Sequence, residues 1–120
     1  MAKQYFIERE QGGERAVLVY VTLQSMAITH SLGEFKELAL ASNLDILSLM
    51  KVDRSAPQAK FYIGHGKVAQ LQDEVRSLGA EVVIFNVDLS PAQERNLEHE
   101  IRCRVVSRTG LILDIFAQRA

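Results

Sequence analysis

The chain holds a single cysteine, Cys103, among 120 residues. One thiol excludes an internal disulfide and a multi-cysteine metal site. Its place in an apolar alternation reads as a small buried residue rather than a reactive thiol. Excess charge is missing too: the formal net charge is −1. There is therefore no global attraction to nucleic acid or anionic membrane, and any RNA contact has to come from local clusters. Long hydrophobic runs are absent, and the opening MAKQYFIEREQ lacks the apolar core of a signal peptide. A cytoplasmic chain that does not enter the membrane is expected by default. The three histidines, His30, His65 and His99, stand in separate segments without the spacing of a metal ligand set, so each reads as a surface residue. No internal repeat or low-complexity segment is visible.

What is present is one core's worth of apolar residues, 48% of the chain, at a length suited to one domain. Residues 1–13 are polar apart from Tyr5, Phe6 and Ile7 and read as an arm; residues 14–120 read as the domain. Ala16 to Val21 is continuously apolar, as expected of a central strand covered on both faces. After a mixed stretch from Thr22 to Leu32, Phe35, Leu38, Ala39 and Ser42 mark one face of a short helix. Leu44, Ile46, Met50 and Val52 then alternate with Asp45, Leu47, Leu49 and Lys51, which suggests a strand nearer the sheet edge. Asp53 to Lys60 reads as an exposed loop.

Phe61-Tyr62-Ile63-Gly64-His65-Gly66-Lys67 comes next, an extended aromatic and β-branched triplet running into Gly-x-Gly. Val68, Leu71, Val75 and Leu78 follow at helical spacing on one stripe. The glycines thus stand at a strand-to-helix turn, where glycine permits positive φ and close backbone approach and the first helical turn leaves amides free to face an anion. Lys67 adds a cation. A phosphate site, of a nucleotide or an RNA backbone, is one reading; a tight turn closed by a surface lysine is the other. The triphosphate-binding pattern G-x-x-x-x-G-K followed by Ser or Thr is not met, since Phe61 and Val68 occupy its ends.

Gly79 falls at a helix C-cap before Val82 to Phe85, a second fully apolar strand. Ser90-Pro91-Ala92-Gln93 gives a helix start with a cap, a first-turn proline and a capping-box glutamine. Capping also accounts for Ser90 and Asp88 more simply than an acid and a nucleophile would, so no catalytic residue is assigned. Cys103 to Val106 reads as a last short strand, and Thr109 as the cap of an apolar segment from Leu111 to Ala117. Arg102 and Arg104 share a strand parity and Arg108 lies near the strand end. The three could hold RNA phosphate; pairing with Glu98, Glu100 or Asp114 is the plainer reading.

The expected fold is α/β, a small, mainly parallel four-stranded sheet with helices on both faces and right-handed crossovers. Ligands of such sheets gather at the carboxyl ends of the strands, here near Thr22, Asp53, Asn86 and Ser107.

Three motifs in order resemble the N-terminal domain of the HflX GTPases: Tyr62 to Val68, Leu89 to Glu98, and Arg108 to Ala120. The opening Glu14-Arg15-Ala16-Val17-Leu18-Val19 is also similar, so the resemblance covers nearly all of the chain from about residue 14. Position 65, often Lys, Ser or Glu in relatives, is His here, which changes the charge that the turn presents. The resemblance implies a ribosome-associated protein that binds the large subunit and helps split or rescue stalled ribosomes under stress. It also implies a helical linker and a GTPase domain following this one, with GTP and Mg2+ held there. The motifs D-x-x-G and N-K-x-D are absent, so this chain alone is not expected to hydrolyse GTP. In that family the N-terminal domain is implicated in ribosomal RNA contacts near the peptidyl transferase centre and in an ATP-linked activity. Gly64, His65, Gly66 and Lys67, with Lys60 and Arg54, are the candidates for either contact. Finally, Leu111, Ile112, Leu113, Ile115 and Phe116 cannot all face one small sheet. An interdomain or homodimer contact through Leu111, Ile112, Ile115 and Phe116 is expected, by packing or by exchange of the terminal segment.

Overall fold

A computed structural model describes residues 13–24 and 31–119. The polar arm before residue 13 and His30 lie outside the described residues. The elements are β1 (Arg15–Leu23), α1 (Leu32–Ala41), β2 (Asp45–Arg54), α2 (His65–Leu78), β3 (Val82–Phe85), α3 (Pro91–Ile101), β4 (Arg104–Val106) and α4 (Arg108–Arg119). The four strands form one sheet in the order β2-β1-β3-β4, and every pairing is parallel. This is the α/β layer expected, with β1 and β3 central and β2 at an edge.

Alternation along β1 divides the core. Ala16 and Leu18 point to the face covered by Phe35 and Ala39 of α1 and Leu111 of α4. Val17, Val19, Val21 and Leu23 point to the other face, toward Val68, Leu71 and Val75 of α2 and Leu97 and Ile101 of α3. A strand with apolar neighbours on both sides has no polar positions to offer solvent, which is why its sequence does not alternate. Leu78, placed on the α2 stripe by spacing, is instead exposed at the last turn.

The edge strand departs from simple alternation. Ala16 pairs with Ile46 but Val17 pairs with Ser48, so Leu47 is an extra residue, a β-bulge. A bulge exchanges the two faces of the strand beyond it. Leu44, Ile46 and Leu49 therefore all pack on the α1 side, while Met50 and Val52 join the α2 side. The expected grouping of Leu44 and Ile46 with Met50 and Val52 is corrected accordingly.

Helix ends are set by local chemistry. Ser31 Oγ accepts from Glu34 N at 3.0 Å to start α1. Ser90 and Gln93 form both halves of a capping box at α3, at 3.0 and 2.9 Å, with Pro91 in the first turn. For α4 the cap is Ser107, whose carbonyl receives Leu111 N at 2.9 Å and whose Oγ receives Gly110 N at 3.5 Å. Thr109, the expected cap, is already inside the helix, and its N–H and hydroxyl both donate to Asp88 Oδ1, at 3.2 and 2.6 Å. The serine two residues earlier wins because Val106 has already ended the strand.

Asn86 continues the β1–β3 ladder beyond the last strand residue of β3. Its N–H donates to Val19 O at 3.2 Å, its Oδ1 accepts from Val21 N at 2.7 Å, and its Nδ2 donates to Val21 O at 3.0 Å. The side chain thereby imitates a backbone peptide at a position only 5% exposed. Replacing it by Ala leaves Val21 N and O buried and unpaired. Asn86→Ala should lower stability by about 2–3 kcal/mol; a urea midpoint within error of the parent would contradict this role.

Cys103, between α3 and β4, is half-buried against the α2-side core, and its Sγ faces Arg104 O at 3.6 Å. Burial, with the Glu98 carboxylate adding, pushes its thiol up to about 11. The folded state thus favours the protonated form. Its stabilising contribution is complete below the ordinary thiol value and is lost as pH rises toward the folded one. Iodoacetamide at pH 9 should label the urea-unfolded chain faster than the folded chain, and equal rates would refute the shift.

Candidate functional site

All four strands are parallel, so the loops after Leu23, Arg54, Phe85 and Val106 share one edge of the sheet. Hydrogen bonds join them in pairs. Thr22 Oγ1 donates to Asp53 and Gln24 N to Arg54 O, tying β1 to β2. Asp88 holds Thr109, and Arg108 N donates to Val87 O at 3.4 Å, tying the β3 and β4 loops together. The glycine turn opens α2 at this same edge.

Phe61, Tyr62 and Ile63 do not extend a strand of the sheet. Tyr62 and Gln58 exchange backbone hydrogen bonds at 2.9 and 3.0 Å, closing a tight loop over the intervening residues. Tyr62, not a glycine, takes the left-handed backbone here, at φ 70°. It is buried with Phe61 and Ile63, and burial followed by the nearby Asp88 charge raises its phenol pKa. The loop is braced from α3: Gln93 Nε2 donates to Gln58 O at 2.9 Å and Asn96 Nδ2 to Lys60 O at 3.1 Å.

Gly64 is the N-cap of α2, with φ −73° and no side-chain cap. The expected positive φ is therefore not its reason. A Cβ at Gly64 would lie 2.9 Å from Arg54 Nη1, so the missing side chain makes room for a guanidinium. Arg54 Nε donates to Ala56 O at 3.2 Å, which holds that group across the start of the helix. At Gly66 a Cβ would meet nothing within 4 Å. His65 and Gly66 are exposed, and the helical ladder begins with Val68 N donating to Gly64 O at 3.0 Å, so the amides of the first turn have no intrahelical acceptor. His65 stacks edge-on against Phe61 with centroids 5.3 Å apart, and Gln58 Nε2 lies 3.4 Å from its Nδ1. Lys60 Nζ sits 5.2 Å from the centre of the Phe61 ring.

The structure thus brings Arg54 to Gly64 and brings Lys60 to His65 through Phe61. A cleft of about 270 Å3 opens beside them, lined by Lys60, Phe61, His65, Gln72 and Glu100 among others.

The arginines around β4 are not brought together. Arg102 is the left-handed C-cap of α3, at φ 67°, so strand parity does not apply to it. Arg104 Nη2 donates to Glu14 Oε1 at 2.6 Å. Arg108 makes two bonds of 2.8 Å to the Glu34 carboxylate. Both guanidinium pKa values are raised, first of all by these hydrogen bonds. Pairing is the correct reading for these two, but the partners are Glu14 and Glu34, far away in sequence, rather than Glu98, Glu100 or Asp114. Glu98 instead accepts from Val105 N at 3.0 Å.

In α4 the apolar residues divide. Leu111 and Ile115 face the core and are removed from the expected contact surface, and Ile112 is half-buried. Phe116 is 67% exposed, and Leu113, absent from the expected set, is 62% exposed. Leu40 of α1, the helix packed beside α4, is exposed as well. No group of three His, Cys, Asp or Glu side chains suited to a metal ion occurs among the described residues. The position after Lys67, where a Mg2+-binding Ser or Thr stands in a triphosphate loop, is Val68, buried in the core; this turn does not fit GTP with Mg2+.

The profile of the family described as GTP-binding GTPase N-terminal matches residues 29–117. GTPase HflX of Escherichia coli strain K12 is 45% identical over 113 residues, covering 94% of this chain and 26% of that protein. GTPase HflX of Caldanaerobacter subterraneus is 37% identical over 107 residues, covering 89% of this chain and 25% of that protein. The chain thus spans about a quarter of the length of these relatives. Among solved structures, a GTP-binding protein from the hyperthermophilic archaeon Sulfolobus solfataricus in complex with GDP aligns with a TM-score of 0.63 at 23% identity. That match covers 86% of this chain and 30% of the other, and at such identity it speaks for the fold.

Proposed function

Because the chain belongs to the GTP-binding GTPase N-terminal family and is an N-terminal domain of the HflX type, we propose that it binds ribosomal RNA of the large subunit. In this role it would serve a larger GTPase that splits or rescues stalled ribosomes under stress in the cytoplasm. The observation that carries this reading is Gly66. Neither a left-handed φ nor a neighbouring atom requires glycine there. At the second residue of α2, glycine leaves the first-turn amides uncovered by a side chain. Bare backbone amides beside Arg54, His65 and Lys67, with Lys60 next to His65, suit close approach of a phosphodiester strand. The net charge of −1 leaves this local cluster to supply the attraction.

Free nucleotide at the same turn is the competing reading. The cleft beside it, about 270 Å3, falls below the roughly 300–1,000 Å3 of small-molecule pockets, and Glu100 on its wall repels phosphate. A strand lying across the surface suits this shape better. In our reading GTP and Mg2+ belong to the GTPase domain that follows, through a linker, in the longer relatives. No described helix is long and apolar enough to cross a membrane. Leu113 and Phe116 of α4, with Leu40, form the surface for that linker or for a second copy of the chain.

Two outcomes are expected. Lys60→Glu and Lys67→Glu should each weaken co-sedimentation with large ribosomal subunits and reduce the slope of log K against log salt by about 1. Stability should change by about 0.5 kcal/mol or less. Micromolar saturation by free ATP or GTP together with unchanged subunit binding would return the turn to the competing reading. For α4, analytical ultracentrifugation at about 100 μM should show self-association that Leu113→Glu with Phe116→Glu abolishes; a parent chain that stays monomeric there would exclude the dimer.

A further inference from the structure

At the opposite end of α2 from the glycine turn, a cavity of about 560 Å3 lies between the last turns of α2 and α3. Two guanidinium groups line it, those of Arg76 and Arg102, and no carboxylate does. A third lies behind Gly79, where a Cβ would come within 3.1 Å of Arg15 Nη2. From this arrangement we infer a second anion site, a cleft that takes a phosphate group carried by a nucleotide or by an RNA strand.

Arg104 and Arg108 are held in ion pairs, whereas Arg15, Arg76 and Arg102, like Arg54, Arg95 and Arg119, have none among the described residues. Arg15 Nε is buried without a hydrogen-bond partner. A buried cationic donor lacking an acceptor calls for a partner that the fold does not supply, an ordered water or an ion. Of the nearby acids, Glu81 Oε1 accepts from Arg15 N at 2.9 Å and Glu98 Oε2 accepts from Val105 N at 3.0 Å.

Arginine at a helix C-terminus ordinarily complements the helix dipole. That accounts for Arg76 but not for Arg102, which sits in the left-handed position where glycine is the usual occupant, as Gly79 is for α2. The C-termini of α2 and α3 repel an anion, so the guanidinium groups have to outweigh them, and three of the carbonyls there are already bonded. Val75 O receives Gly79 N and Ala80 N, Glu98 O receives Arg102 N, and Glu100 O receives Gln72 Nε2 at 2.9 Å. Val75, Ala80 and Ile101 supply an apolar wall for the sugar or base attached to the phosphate. The 14 residues of α2 span about 20 Å, so one phosphate cannot reach both this cleft and the glycine turn, and the two readings stand or fall separately.

The test uses the full chain, labelled with nitrogen-15 and titrated with inorganic pyrophosphate, AMP and a short single-stranded RNA. Amide shifts at Gly79, Ala80 and Arg102 are expected with pyrophosphate. Tighter binding of AMP would identify a free nucleotide as the source of the phosphate, and tighter binding of the oligonucleotide an RNA strand. Arg102→Gly is the decisive variant, because it relaxes the left-handed backbone while removing the cation. It should raise Tm by a few degrees and weaken pyrophosphate about tenfold or more, the loss of one charge-assisted hydrogen bond. Arg76→Gln should weaken binding without the rise in Tm. No shift at these amides with any of the three probes, or affinity unchanged in both variants, would overturn the site.

Discussion

β1 has to be buried on both faces and hydrogen-bonded along both edges, and the rest of the molecule follows from that requirement. Its residues Ala16 to Val19 are fully buried, with β2 on one side and β3 on the other. Helices must then cover the sheet above and below: α1 and α4 on one face, α2 and α3 on the other. The polar work is left to the two ends of the strands. Asn86 extends the β1–β3 pairing there, converting the end of the ladder into a side-chain contact that still satisfies the buried peptide groups of Val21.

Much of this was legible because it is local. Unbroken apolar runs at Ala16–Val21 and Val82–Phe85 mark two-faced burial, and Ser90, Pro91 and Gln93 carry the start of α3 within four residues. The features that escaped are decided by groups distant in sequence. Leu47 is an extra residue only in relation to Val17 and Ala16 across the ladder. Tyr62 turns left-handed because Gln58 closes a bridge around it, and an aromatic residue gives no warning of that. Arg104 and Arg108 find Glu14 and Glu34 only once the fold has placed the starts of β1 and α1 beside them. At the candidate site the glycine pattern located the turn, but it misread the reason for Gly64, which is the room taken by Arg54 rather than a backbone angle.

The arginines show how a chain of nearly neutral net charge divides its cations. Arg104 pairs with Glu14 where both are well exposed, and such a pair contributes about 0–1 kcal/mol. Arg108 grips Glu34 with two parallel bonds and is less exposed, so it fixes α4 against α1 as geometry more than as charge. Arg54 lies between these roles, fastened to Ala56 O through Nε while its Nη1 overhangs Gly64. Arg15, Arg76 and Arg102 are left with no ion pair among the described residues.

The placement of α2 links the two ends of the domain. Val68, Leu71 and Val75 fix the helix to the β1 face through one continuous stripe, so its first turn and its last are parts of one rigid body. Both termini lack a side chain: Gly64 offers no side-chain cap, and Gly79 ends the helix in the left-handed position that glycine usually takes. In each case the missing Cβ lies next to a guanidinium, Arg54 at 2.9 Å and Arg15 at 3.1 Å. The same substitution of hydrogen for a side chain therefore does two jobs at once, ending a helix and admitting an arginine from the neighbouring strand. Those arginines sit at opposite ends of adjacent parallel strands, Arg54 closing β2 and Arg15 opening β1. A helix pinned along its middle and stripped at its ends presents positive charge in two separate directions.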